Sequence, residues 1–99
     1  MNEAFSKIIA NELTIVARRH GLKAGIALFG AQYGKKRIRI QRNGKMYLCS
    51  FNYDDGWMKS AVTGATTIFE SHDEVINPDF DPKKLVHAML SSIIKDSEQ

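Results

Sequence analysis

Lys35-Lys36-Arg37-Ile38-Arg39-Ile40-Gln41-Arg42-Asn43-Gly44-Lys45-Met46-Tyr47-Leu48-Cys49-Ser50-Phe51 is two alternating runs joined by an Asn-Gly pair. Asn-Gly favours a two-residue type I′ turn, because both central positions need a positive φ, and the turn type sets which residues face each other. Pairing Arg42 with Lys45 puts Ile40 opposite Tyr47, Ile38 opposite Cys49 and Lys36 opposite Phe51 on one face. The other face carries Lys35, Arg37, Arg39 and Gln41 against Met46, Leu48, Ser50 and Asn52. The first face belongs on a core. The second is basic.

Downstream, Asp54-Asp55-Gly56 is a turn signal, and Trp57-Met58-Lys59-Ser60-Ala61-Val62 alternates as a third hairpin strand. If Asp55-Gly56 is a two-residue loop, Tyr53 faces Met58, Phe51 faces Ser60 and Cys49 faces Val62, and Trp57 and Lys59 join the basic face. If all three residues form the loop, the pairing slips by one and Trp57 turns inward. Asp-Gly is a strong type I′ pair and favours the first. Thr63-Gly64 is a further turn, and Thr66-Thr67-Ile68-Phe69-Glu70 has the β-branched and aromatic content of another strand. Ser71-His72-Asp73-Glu74 matches a capping box, which predicts a short helical turn to about Asn77 before Pro78 stops it.

The flanks read as helices. From about Glu3 to His20, Phe5, Ile8, Ile9, Leu13, Val16 and Ala17 recur at helical spacing, with Asn2 as cap. Gly21 suits the left-handed position after the helix, with Leu22 packing back. Arg18, Arg19 and His20 in the last turn complement the helix dipole. At the other end, Asp81 caps and Pro82 begins a helix with Phe80 and Leu85 as its staple. That helix carries Val86, Met89, Leu90, Ile93 and Ile94 on one stripe and frays near Asp96. Between the first helix and the hairpin, Ala24 to Gly34 reads as a strand with a kink or bulge. Its glycines, Gly25, Gly30 and Gly34, do not form a phosphate-cradling fingerprint. The expectation is one α+β domain over residues 1–99: an N-terminal helix, a four- or five-stranded antiparallel meander and a C-terminal helix, both helices on the apolar sheet face.

The 99 residues are 43% hydrophobic and 25% charged, which is ordinary for a globular protein and argues against disorder. A lone Cys49 excludes an internal disulfide and a zinc cluster and fits a reducing, cytoplasmic setting. Nothing near Met1 resembles a signal peptide, and no apolar run reaches membrane-spanning length, so no membrane partner is expected. The net charge of +3 hides a polarity: residues 1–50 hold ten basic and two acidic side chains, residues 51–99 four and nine. Such asymmetry points to a basic surface that meets a polyanion.

Catalytic constellations are thin. Cys49 with His20, His72 or His87 would be a nucleophile pair, but its register places the thiol mid-strand on the core face, where a thiolate is desolvated. His72, Asp73, Glu74, Asp79 and Asp81 lack calcium-loop spacing and the zinc-enzyme His-Glu-x-x-His. Asp54, Asp55 and Lys59 are the nearest approach to nuclease chemistry, and a turn explains the aspartates better. His87, beside Val86, reads as a structural histidine. No enzyme, cofactor or metal is expected.

Binding fits better. Basic residues at alternating strand positions project one way at intervals of about 6.6 to 6.8 Å, close to the phosphate spacing of an extended strand. Lys35, Arg37 and Arg39, with Lys45 and Lys59 at the margin, supply charge to a DNA or RNA backbone. Trp57, with Tyr33 or Tyr53, supplies stacking, and Gln41 and Asn52 can read base edges. The hairpin strands over residues 35–71 followed by the last helix resemble single-stranded-DNA-binding coactivators of the Whirly-like kind, although the long first helix departs from them. That resemblance implies single-strand binding on a sheet. The competing expectation is a protein-interaction module, inhibitor or adaptor, that presents Leu48, Met46 and Trp57 with a basic rim to an acidic protein, or to a second copy in a homodimer. One helix on each sheet face would leave no platform for the nucleic acid.

Overall fold

The computed structural model describes residues 2–26 and 35–99. Helix α1 spans Asn2–Arg19, five strands follow, β1 Lys23–Ile26, β2 Lys35–Arg42, β3 Lys45–Asp54, β4 Trp57–Thr63 and β5 Thr67–Glu74, and helix α2 spans Pro82–Ser97. The strands form one antiparallel sheet in sequence order, so the meander has five strands. Beyond Ile26, the glycine-punctuated segment that suggested a kinked strand lies outside the described residues.

The hairpin has its expected register: Arg42 faces Lys45, Ile40 faces Tyr47, Ile38 faces Cys49 and Lys36 faces Phe51. Asn43 and Gly44 take φ of 53° and 76°, which only a primed turn requires. Asp55 and Gly56 repeat this at 48° and 85°, so the loop has two residues and Tyr53 faces Met58. Two consecutive primed turns lock the register of three strands. Ile38, Ile40, Tyr47, Cys49, Phe51, Met58 and Val62 are thereby all buried on one side.

Both helices lie on that side and pack against each other as well as the sheet. Ile9, Leu13 and Ala17 of α1 and Val86, Met89, Leu90 and Ile93 of α2 join the strand residues in one core. The end of α1 is a Schellman motif: Leu22 donates to Ala17 at 3.0 Å, Gly21 donates to Arg18 at 3.0 Å, and Gly21 has φ 77°. Leu22 is buried as this motif requires. Ile8, expected on the apolar stripe, is 63% exposed. The buried arc centres on Ile9 and Leu13 and takes in Ser6 and Ala10, and Ile8 lies about 100° around the helix from Ile9.

The predicted helical turn at Ser71-His72-Asp73-Glu74 is not formed. These residues extend β5 to Glu74, and Val75 N–H donates to the Gly56 carbonyl at 2.8 Å just beyond the strand end. A helix stopped by Pro78 cannot recover its nucleation cost, whereas each residue added to the ladder satisfies backbone groups of β4. The acids of the supposed box instead sit along an edge strand.

α2 starts as read, with the Asp81 carboxylate accepting from Lys83 N–H at 2.9 Å and Pro82 in the first turn. It ends at Ser97, next to the expected Asp96, where the β2–β3 turn holds it. Arg42 donates to Ser97 Oγ and pairs with Glu98 at 3.3 Å, and Asn43 donates to the Ser97 carbonyl at 3.2 Å. Tyr47 donates to Asp96 at 2.7 Å. Burial pushes the Tyr47 phenol up to about 12, and the hydrogen bond to Asp96 and the charge of that carboxylate add to the effect.

Candidate nucleic-acid interface

With both helices on one side, the opposite sheet face is free of them. Register assigns its occupants strand by strand: Lys23 and Gly25 on β1, Arg37, Arg39 and Gln41 on β2, and Met46, Leu48, Ser50, Asn52 and Asp54 on β3, while Lys35 pairs with Asn52 and its side chain lies outside the described ones. β4 adds Trp57, Lys59 and Ala61, and β5 adds Glu70, His72 and Glu74. Arg39, Gln41 and Lys59 are exposed, while Arg37, Leu48 and Asn52 are half-buried among their neighbours. Among the described residues the one ion pair is Arg42 with Glu98, so neither Arg37 nor Arg39 is neutralised by a carboxylate. The Nε of Arg37 is shielded from solvent and has no hydrogen-bond partner.

Trp57 projects onto this face, 41% exposed, with its ring 4.6 Å from that of His72 across the β4–β5 pair. The two rings are tilted by 41°. The capping pattern of Ser71 to Glu74 predicts a helical turn and so does not put His72 on this face. Once β5 is extended to Glu74, His72 comes opposite Lys59, beside Trp57.

Charge is unevenly spread across the face. Lys23, Arg37 and Arg39 occupy the β1–β2 side, Glu70 and Glu74 the β5 edge, and neutral Leu48, Ser50 and Ala61 lie between, with Asp54 at the end of β3 opposite Trp57. Lys59 and Trp57 stand two strands from β2, about 9.6 Å away at ordinary strand spacing. The basic side of the face therefore runs along β1 and β2, and Asn52, paired with Lys35 and Lys59 in the register, stands between it and Trp57.

Two expected members fall elsewhere. Lys45 faces Arg42, on the helix side of the sheet, and its Nζ donates to the carbonyls of Asp96 and Gln99 at 3.1 and 3.2 Å. It holds the negative end of the α2 dipole and does not join the basic face. Tyr53 is turned toward α1, its ring 5.3 Å from that of Phe5. Tyr33 lies outside the described residues. Lys23 was missed although Lys23-Ala24-Gly25-Ile26 has the alternation that would have placed it opposite Gln41.

The Cys49 thiol is fully buried, and burial pushes it up to about 12, so its thiolate is not accessible at neutral pH. Among the described residues no group of three or more His, Cys, Asp or Glu side chains is placed to hold a metal ion. No helix there is long and apolar enough to cross a membrane. No family model matches the chain, and neither a curated protein nor a solved structure matches it.

Proposed function

We propose that this is a small non-enzymatic nucleic-acid-binding or regulatory protein that lays a phosphate backbone, of DNA or RNA, along β2 on the helix-free face of its sheet. The observation that supports it is the pair Arg37 and Arg39, at alternating strand positions, without a carboxylate partner among the described residues. Their spacing of about 6.6 to 6.8 Å suits successive phosphates of an extended strand. Trp57, paired with His72, offers a ring for base stacking, and Gln41 and Asn52 offer amides to base edges.

Fluorescence anisotropy against single- and double-stranded DNA and RNA over a salt series tests this. The expected result is binding whose log affinity falls linearly with log salt, by about 0.7 per phosphate engaged on a single strand. A flat titration with every polyanion overturns it. A second reading draws on Met46 and Trp57, 47% and 41% exposed on the same face, as apolar contacts for an acidic protein partner. That reading expects a stable protein complex in sedimentation and no affinity for polyanions.

A further inference from the structure

Gly25 stands opposite Arg39, and two residues along the pair Lys23 stands opposite Gln41. With Ala24 these residues line an open notch of about 180 Å³. The notch exists because position 25 has no side chain: a Cβ there meets no atom within 4 Å, so free space remains between Lys23 and Arg39. Every charged side chain in the lining is a cation. Arg18 adds a third nearby, donating through Nε and Nη2 to the Ala24 carbonyl at 3.2 and 2.9 Å.

We propose that this notch seats the terminal phosphate of a nucleic-acid strand, an inference that rests on the phosphate-binding reading of the face. A phosphomonoester carries about −1.5 to −2 charges at pH 7, whereas each backbone diester carries one. Lys23 and Arg39, with no acid between them, match the monoester. Position supports the same choice. β1 is the outermost strand, so the notch opens at the margin of the sheet, where a nucleic-acid strand can end. The next phosphates then continue inward past Arg37. The guanidinium of Arg39 supplies directional donors to the terminal oxygens, and Lys23 supplies a point charge.

The test uses one short single-stranded oligonucleotide in three forms: 5′-phosphate, 3′-phosphate and hydroxyl at both ends. Affinity is measured by anisotropy for the unaltered protein, for Gly25→Val and for Lys23→Gln. Valine suits a strand, Gly25 has no positive φ and its Cβ enters open space, so Gly25→Val fills the notch without altering charge or fold. Lys23→Gln, at an exposed position, removes one charge and keeps the volume. The expected result is that one phosphorylated form binds the unaltered protein on the order of tenfold more tightly than the hydroxyl form. Both variants lose that preference, and Gly25→Val keeps its affinity for the hydroxyl form within about twofold. Equal affinity for all three forms, or a preference that survives both variants, overturns the notch and leaves the proposed function standing. Absence of binding by all three overturns both.

Discussion

Arg37→Glu combined with Arg39→Glu is expected to weaken single-strand binding at least on the order of 100-fold, with the melting temperature nearly unchanged. Each arginine removed forfeits charge-assisted hydrogen bonds of about 1.5 to 3 kcal/mol, and each glutamate added repels the neighbouring phosphate. The slope of log affinity against log salt should fall by about 1.4, the contribution of two phosphates on a single strand. Folding should not suffer, because among the described residues neither arginine has an ion pair, and the positions opposite them, Ser50, Leu48 and Gly25, bear no charge. Net charge alone does not explain the outcome. Lys83→Glu with Lys84→Glu changes the formal charge by the same amount on the exposed side of α2, and is expected to cost far less affinity. Equal losses from the two double variants would mean that overall charge, not the sheet face, governs binding.

Met58→Ala is expected to destabilise the protein by about 2 to 5 kcal/mol, while Trp57→Ala costs about 1 kcal/mol. Met58 is fully buried in the core, whereas Trp57, its neighbour in sequence, projects to the opposite face. For a chain of 99 residues whose total stability is about 5 to 15 kcal/mol, the first variant loses a large share of it. Trp57→Ala should instead show its effect in binding, since stacking on a base contributes about 1 to 3 kcal/mol. Thermal or urea denaturation of both variants checks the assignment. The opposite ranking would mean that β4 is slipped by one residue and that Trp57 belongs to the core.

The parts of this architecture visible in the sequence are those governed by local chemistry. Asn43-Gly44 and Asp55-Gly56 are short, need positive φ, and so define registers over three strands without any knowledge of the rest of the chain. The same holds for Gly21 with Leu22 and for Asp81 with Pro82. What failed depended on distant partners. Ser71 to Glu74 satisfies a capping pattern, but β4 offers those residues a ladder, and tertiary pairing overrides the local preference. Lys45 reads as one more cation on a basic hairpin until the end of α2 is placed against the turn, where carbonyls of Asp96 and Gln99 take its ammonium. Ile8 fits the apolar repeat, yet the direction in which α1 meets the sheet excludes it.

The candidate face divides in the same way. Arg37, Arg39, Gln41, Asn52, Trp57 and Lys59 share it because strand alternation alone puts them there. Its helix-free state depends on both helices choosing the other side, which their apolar stripes permit but do not dictate. The acidic β5 edge and the Trp57–His72 contact come from the added length of β5. They confine the basic track to β1 and β2.

A single NMR titration tests the central claim most directly: amide and indole N–H shifts recorded while a short single-stranded oligonucleotide is added. The account predicts the largest shifts at Arg39, Gln41 and Leu48, and at the Trp57 indole, with the exposed side of α2 at His87 and Ala88 unmoved. Shifts concentrated on α1 and α2, or none at all, would contradict it.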